Sequence, residues 1–249
     1  MRKPVRLDGH GRGWLSWPAR EDNSPQPARM QLVGSAEAME AYSRIKKFMT
    51  SDELENFTNL IHKNTELFSE TLGRGTLGPR YCVINGDQIR SQMPEVETFG
   101  EERVRPITEK FAGHPLQLMV SLKRSMRIQV YRKKHHGFRW HFDEYPYVAL
   151  LTLKNTNRGQ THVISQRLSQ FLRFLFYPLY AVPQVFSLMP YKEITVEAGD
   201  LLLMRGSRVL HRGVILEEEG ERIIMAFWYD RPGKQPNPLR DKIARALNF

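Results

Sequence analysis

The sequence predicts an α+β protein in which a jelly roll or related barrel carries helices on its N-terminal side. Three observations predict this fold: helical periodicity before residue 113, a series of short β-rich segments after Pro115, and a length of 249 residues, which suits a single sandwich or barrel domain. We therefore expect one domain over residues 1–249. Its predicted parts are an irregular arm (1–34), a helical support (35–113), a jelly-roll core (114–230) and a tail (231–249).

Capping residues and apolar spacing predict the helices of the support. Ser35 suits an N-cap, and Thr50 with Glu53 has the sequence pattern of a capping box. Gly113 is a residue type that commonly ends a helix. The predicted helices span residues 35–49, 50–73 and 101–111.

Segments rich in β-branched and aromatic residues, separated by turn residues, predict the strands of the core. These strands span residues 116–122, 126–131, 147–153, 161–164, 194–196, 201–204 and 222–229. Residues 168–179 interrupt them with the apolar spacing of an amphipathic helix. A helix packed on the sheet is the favoured interpretation, and a lid over a site is the alternative. A short packing helix is predicted within 236–249.

Charge limits the classes of partner. The formal net charge of +10 would attract nucleic acid, an anionic membrane surface, an acidic carrier protein or small anions. The basic residues are spread along the chain, and Arg132, Lys133 and Lys134 form the one basic run. A solvated basic surface is therefore favoured, and nucleic-acid binding is not.

Cysteine content and hydropathy predict the compartment. Cys82 is the one cysteine, which excludes an intrachain disulfide and suits a reducing environment. The sequence shows no apolar stretch of signal-peptide or membrane-span length, so we expect a cytoplasmic protein with no membrane span. The oligomeric state is left open.

The pattern His141-Phe142-Asp143, with His211 placed 68 residues after the aspartate, predicts a metal site. In a strand, His141 and Asp143 share one face, so a single strand end supplies two ligands. Two histidines and one carboxylate are the ligands of mononuclear non-haem iron centres that keep open coordination positions. These three residues are the predicted metal ligands.

Arg222 begins a strand whose same-face neighbours are apolar. A guanidinium in such a row would be costly inside a barrel unless a carboxylate pairs with it. A bound dicarboxylate would supply that partner, because the planar guanidinium grips a carboxylate through two parallel hydrogen bonds. A surface arginine paired near residues 217–221 is the alternative.

The order of these residues resembles the iron(II)- and 2-oxoglutarate-dependent dioxygenase superfamily, over roughly residues 121–230. The resemblance implies a double-stranded β-helix of the cupin-like jelly-roll type, with iron bound by His141, Asp143 and His211. It also implies that Arg222 binds the far carboxylate of 2-oxoglutarate. Residues 128–131 resemble the cosubstrate strand of prolyl-hydroxylase-like members, which makes Tyr131 a second predicted contact. Oxygen is the other cosubstrate, with ascorbate as an external reductant.

The resemblance implies hydroxylation of an unactivated C–H bond with release of succinate and carbon dioxide. Asp143 disfavours halogenation, because halogenating members replace this carboxylate with a small residue and bind halide there. Desaturation, cyclisation and epimerisation stay open. Nucleic-acid demethylases of the superfamily have a second arginine six residues after the first. Trp228 stands at that position in this chain, which disfavours a demethylase.

We expect an anionic small molecule or amino acid as the substrate, either free or attached to an acidic carrier protein. Alternation places two arginines toward the pocket. The predicted substrate contacts are Arg127, Gln129, Arg139 and Trp228. Two other classes stay open: a cupin-type metal-binding protein without turnover, and an oxygenase that acts on nucleic acid or protein.

Overall fold

The computed structural model describes residues 41–72, 80–119, 121, 123–156, 159–179 and 184–234. These residues belong to one compact unit of the chain, 31–249. The predicted arm and the C-terminal packing helix lie outside the described residues, and the single-domain organisation stays a prediction.

The described strands form two antiparallel sheets. The larger sheet has the order β1-β10-β7-β12-β5-β3-β2, with β4 paired to β12, and the smaller has the order β6-β11-β8-β9. The strands are β1 (Tyr42–Ile45), β2 (Ser69–Leu72), β3 (Arg80–Asn85), β4 (Gln117–Leu118), β5 (Met126–Tyr131), β6 (Phe138–His141), β7 (Tyr147–Asn155), β8 (Gln160–Ile164), β9 (Tyr191–Thr195), β10 (Leu201–Met204), β11 (His211–Gly213) and β12 (Arg222–Asp230).

Helices cover the outer face of the larger sheet. They are α1 (Ser51–Lys63), α2 (Gly86–Gln92), α3 (Pro94–Phe99) and α4 (Arg105–Ala112), with a π-helical turn (Gly100–Val104) joining the last two. Buried residues of α1 to α3 and of strands β5, β7 and β12 form one apolar cluster, and partly buried residues of α4 pack against it. Two further helices, α5 (Gln166–Leu179) and α6 (Gln184–Ser187), lie between β8 and β9 in the chain.

A second apolar cluster joins the two sheets. Val148 and Ala226 of the larger sheet pack with Val163 and Ile194 of the smaller one. Strand β12 has the alternation predicted from its sequence: odd-numbered Ile223 and its like-facing neighbours join the helix-covered cluster, and the even-numbered residues face the second sheet. The prediction of an α+β jelly roll with flanking helices is confirmed.

The start of α1 agrees with the sequence. Thr50 Oγ1 accepts a hydrogen bond from the backbone N–H of Glu53, and the Glu53 carboxylate accepts from the backbone N–H of Thr50, which is the predicted capping box. The predicted helix over 101–111 is also helical, although the helical run starts earlier, at Pro94.

Two parts of the predicted helices are wrong, because the chain forms strands there. The described end of the predicted helix 35–49 contains β1, an edge strand paired with β10. Helix α1 ends at Lys63, and the chain continues into β2, which pairs with β3. Cross-strand pairing overrides the local helical pattern in these short segments.

Several core strands differ in length from their predictions. The described residues of the predicted strand 116–122 form a strand only in β4. Strand β9 begins three residues before residue 194, where the predicted strand begins. The predicted series of core strands omits β6 and β11, which have only four and three residues, although His141 was predicted to lie at a strand end. Residues 168–179 are helical as predicted, within α5. Among the described residues, no helix has the length and hydropathy to cross a membrane.

Candidate metal and cosubstrate site

The three predicted metal ligands meet where β6 and β11 pair. His141 ends β6, His211 begins β11, and the two are cross-strand partners in the antiparallel register. Asp143 follows two residues after His141, and all three side chains are buried. One ligand atom from each residue can be chosen so that all lie within 4.8 Å of one another.

Both imidazoles present the same nitrogen to Asp143. The Nδ1 atom of His141 lies 2.7 Å from the carbonyl oxygen of Arg139, and Nδ1 of His211 lies 3.0 Å from that of Val209. A carbonyl only accepts, so each Nδ1 carries a proton, and Nε2 is the nitrogen of each ring that remains to bind a metal. Burial, and then the charge of His211, hold the pKa of His141 well below its ordinary value. A neutral imidazole of this tautomer can bind a metal.

The carboxylate of Asp143 completes the set. Its Oδ1 lies 3.8 Å from Nε2 of His141, and its Oδ2 lies 3.4 Å from Nε2 of His211. Burial raises the pKa of Asp143, against the opposing effects of His211, Trp228 and Arg127. Oδ2 is buried and has no hydrogen-bond partner among the described residues. Since buried polar atoms are rarely left unpaired, this donor set fits a divalent metal bound by two nitrogens and one oxygen.

Gly206 makes the position of Asp143 sterically feasible. A Cβ added at Gly206 would lie 2.1 Å from Oδ2 and 2.7 Å from Cβ of Asp143. The backbone N–H of Asp143 also donates to the carbonyl oxygen of Gly206 across 3.1 Å. The turn after β10 therefore supports the carboxylate and needs a residue without a side chain.

Arg222 lies inside the fold, at 2% exposure. Its Nη1 donates to the carbonyl oxygen of Gln160 across 3.2 Å, and its Nη2 donates to Oγ1 of Thr161 across 3.3 Å. Its buried Nε has no hydrogen-bond partner within the described part of the chain, and no described carboxylate forms a salt bridge with it. Burial lowers the pKa of Arg222, against the opposing effect of Tyr131.

Neighbouring residues build the recess around Arg222. A Cβ at Gly159 would lie 2.9 Å from Cδ of Arg222, and the N–H of Gly159 donates to Oδ1 of Asn155 across 2.8 Å. Glu221 pairs with Arg132 and with a lysine, at 2.9 and 2.7 Å, and not with Arg222. The alternative of a surface-paired arginine is therefore excluded, and the guanidinium is left in need of an anion.

Tyr131 and Gln129 lie beside Arg222. The guanidinium carbon of Arg222 is 5.9 Å from the centre of the Tyr131 ring. The Tyr131 hydroxyl donates to Oε1 of Gln129 across 3.0 Å. Burial raises the pKa of Tyr131 far above its ordinary value, so this hydroxyl stays protonated.

One cavity connects the metal ligands to Arg222. Its volume is about 100 Å³, several times the roughly 10–15 Å³ that one water molecule requires. Arg127, Gln129, Tyr131 and Trp228 line it. The remaining polar wall includes the ion pair of Arg124 and Glu144, at 2.8 Å.

Arg139 is the predicted contact that the structure does not bring to this cavity. Opposite β11, the register of β6 shifts so that His211 faces His141 and Gly213 faces Phe138. This bulge breaks the alternation that placed Arg139 beside His141. Phe138 takes the inward position, with its ring centre 4.1 Å from that of His141. Arg139 is half-buried and has a contact of its own.

Three uncharged residues that shape the site were not predicted as site residues from the sequence. Gly159, Thr161 and Gly206 each border Arg222 or Asp143. The two glycines gave only a weak indication, because glycine occurs in loops for many structural reasons. Thr161 was predicted only as the start of a strand.

A family model described as Halogenase D matches residues 59–242 of the chain. The non-heme alpha-ketoglutarate-dependent carbocyclase SnoK, from nogalamycin biosynthesis, has a similar structure with a TM-score of 0.62 at 18% identity, over 86% of this chain and 91% of SnoK. The epimerase SnoN from the same biosynthesis has a TM-score of 0.56 at 17% identity, over 80% and 88% of the two chains.

HygX from Streptomyces hygroscopicus, solved with nickel and 2-oxoglutarate bound, has a TM-score of 0.59 at 18% identity, over 78% of this chain and 83% of HygX. No curated protein matches the chain. The fold is therefore one that non-haem alpha-ketoglutarate-dependent enzymes share.

Proposed function

The chain belongs to the Halogenase D family, and from that premise we propose that it is an iron(II)- and 2-oxoglutarate-dependent oxygenase that hydroxylates its substrate. One observation carries the proposal: a buried cluster of two histidines and one aspartate shares a cavity with a buried arginine that has no described carboxylate partner. A cupin-type protein that only stores a metal would not need the arginine.

Arg222 and Tyr131 would hold the 2-oxoglutarate. The guanidinium would grip the far carboxylate, whose charge would offset the cost of burying the cation. The Tyr131 hydroxyl stays protonated, and its ring centre lies 5.9 Å from the guanidinium carbon, so this hydroxyl could turn from Gln129 to donate to the same carboxylate. The near end of the keto acid would then reach toward the metal ligands along the same cavity wall.

Asp143 supports oxygenation over halogenation, even in a family with this name. A halogenating centre of this superfamily has a small residue in place of the carboxylate, and the halide binds there. In this chain the carboxylate is present, its Oδ2 points into the ligand cluster, and Gly206 leaves it space. The two histidines and Asp143 would occupy three positions of the metal and leave the others for the keto acid and oxygen.

Bound iron would supply the activation of oxygen and of the substrate C–H bond. The protein supplies orientation and a shielded cavity. His141 and His211 each donate their Nδ1–H to a backbone carbonyl, which orients both rings so that Nε2 can bind the metal. The apolar wall from Phe138, Val148 and Leu150 would exclude water from the reacting carbon.

A carboxylate-bearing small molecule is the substrate that the cavity favours. Arg127 lines it with a buried Nε that lacks a described hydrogen-bond partner. An anionic group of the substrate would supply one, whereas the Arg124 and Glu144 side chains already pair with each other. Gln129 would add a polar contact. Free and carrier-bound forms of such a substrate, and a cytoplasmic location, stay part of this proposal.

The test is succinate formation from 2-oxoglutarate by the purified protein with iron(II) and ascorbate. We expect a basal rate that a screen of carboxylate-bearing compounds raises, with a product heavier by one oxygen atom. The rate should vanish in Asp143→Ala. A chlorinated product in the presence of chloride would overturn hydroxylation. No succinate under any condition would favour the cupin-type alternative, and a cyclised or epimerised product would keep the cofactors but change the reaction.

A further inference from the structure

The two oxygens of Asp143 have different surroundings. Oδ1 accepts a hydrogen bond from the indole N–H of Trp228 across 3.3 Å. Oδ2 is buried without a hydrogen-bond partner in the described residues, and its neighbour in the cluster is Nε2 of His211 at 3.4 Å. One oxygen is therefore occupied by a protein donor, and the other is free to bind a cation.

The position of Asp143 is fixed from the opposite side as well. Its backbone N–H donates to Gly206, and its side chain lies directly against the Gly206 backbone, in the space that a Cβ would fill. The carboxylate is thus held between a backbone turn and an indole ring. Rotation about the Cβ–Cγ bond would exchange the two oxygens, and the hydrogen bond from Trp228 is a contact that opposes this rotation by holding Oδ1.

Trp228 is itself well placed to hold Oδ1. Its backbone N–H donates to the carbonyl oxygen of Ser125 across 2.9 Å, and its carbonyl oxygen accepts from the N–H of Met119 across 3.1 Å. The guanidinium carbon of Arg127 lies 5.8 Å from the centre of its ring. A cation over the ring draws electron density from the indole, which makes its N–H a stronger donor.

From this geometry we infer that Trp228 is a positioning residue that makes Asp143 a one-oxygen ligand of the metal. The inference rests on the proposed function, because it requires a divalent metal in the cluster. A carboxylate bound through both oxygens would take a further coordination position, which the keto acid and oxygen need. By holding Oδ1, Trp228 would keep that position open. Its role would then be to orient a ligand, whereas the sequence had suggested a substrate contact.

The experiment is titration of the purified protein with Co(II), together with difference infrared spectra of protein labelled with ¹³C-carboxyl aspartate. The splitting between the two carboxylate stretches distinguishes one-oxygen from two-oxygen binding. The test variants are Trp228→Phe and Trp228→benzothienylalanine, which replaces the N–H with sulfur at nearly the same ring shape. The matched control is Trp140→Phe, because Trp140 is also buried and its Nε1 has no described hydrogen-bond partner.

We expect both Trp228 variants to bind Co(II) roughly 10- to 100-fold more weakly, as is typical when a group that orients a metal ligand is lost. The carboxylate splitting should narrow in both, and Trp140→Phe should behave as the wild type. Wild-type affinity and splitting in the benzothienylalanine variant would overturn the inference, as would an equal loss in Trp140→Phe.

Asp143→Ala separates this result from a failure of the proposed function. If Asp143→Ala loses Co(II) binding while the Trp228 variants keep it, the positioning role is wrong and the metal site stands. If Asp143→Ala binds Co(II) as tightly as the wild type, the metal site itself is wrong.

Discussion

Replacing Arg222 with methionine should separate binding of the keto acid from stability of the fold. Arg222 is buried and makes two hydrogen bonds to neutral oxygens, at 3.2 and 3.3 Å. Hydrogen bonds of this kind each contribute about 0.5–1.5 kcal/mol net. Their loss is offset by removal of a buried charge, whose desolvation costs several kcal/mol. We expect the unfolding free energy of Arg222→Met, without keto acid, to stay within about 1 kcal/mol of the wild type or to rise.

Binding of 2-oxoglutarate should respond very differently. Breaking a buried ion pair by removing one partner costs about 3–5 kcal/mol, which corresponds to a roughly 100- to 5,000-fold weaker affinity. The assays are urea unfolding without the keto acid, and calorimetric titration of 2-oxoglutarate into the Ni(II)-loaded protein. Arg212→Met is the matched control, since Arg212 is half-buried next to β11's cavity-lining glycine but does not itself line the described cavity.

Two results would refute this reasoning. An affinity for 2-oxoglutarate within tenfold of the wild type would show that another group holds the far carboxylate. A large loss of stability in the protein without keto acid would show that Arg222 has a structural partner. Arg212→Met should leave the affinity unchanged.

Three further substitutions test single contacts of the fold. Gly159→Ala places a Cβ 2.9 Å from Cδ of Arg222, so the guanidinium must shift. The KM for 2-oxoglutarate should therefore rise about tenfold while the affinity for Co(II) stays unchanged. An unchanged KM would contradict this prediction. Asp200→Ala removes a buried carboxylate that pairs with Arg44, so urea unfolding should show a loss of about 3–5 kcal/mol, and a loss below about 1 kcal/mol would contradict this. Burial raises the pKa of Glu221, but hydrogen bonds from its basic partners outweigh burial and lower that pKa below the ordinary 4.5. Glu221→Gln should therefore lower the unfolding free energy by about 1 kcal/mol at pH 7, and this loss should disappear as the pH falls through the lowered pKa. A loss that does not change with pH would contradict this prediction.

The position of Arg222 could be predicted from the sequence because strand alternation is strict where pairing is regular. In β12 every second residue faces the second sheet, so the sequence alone placed Arg222 and Trp228 on one face. The spacing of His141 and Asp143 also predicted that their side chains would lie close together, although Asp143 lies two residues beyond the end of β6. At these positions the local strand pattern and the chemistry of the side chains predict the same arrangement, so knowledge of the strand partners was not needed.

The errors lie where long-range pairing decides the local structure. The bulge in β6 depends on its partner β11, which contributes three residues from a distant part of the chain, so alternation misplaced Arg139. Strand β1 is an edge strand whose helical-looking sequence is overridden by β10. The roles of Gly159 and Gly206 depend on how close Arg222 and Asp143 approach them, and no sequence pattern reports such distances.

His141 and His211, which lie 70 positions apart in the sequence, pair across two strands of four and three residues. Strands this short have few backbone hydrogen bonds to keep them together. An ion held by both imidazoles would act as a clip that closes this long loop, much as a covalent cross-link does. Amide hydrogen exchange in the smaller sheet would then slow on metal loading, while the helix-covered sheet would change little. The proposed metal centre would then also stabilise the pairing of β6 with β11.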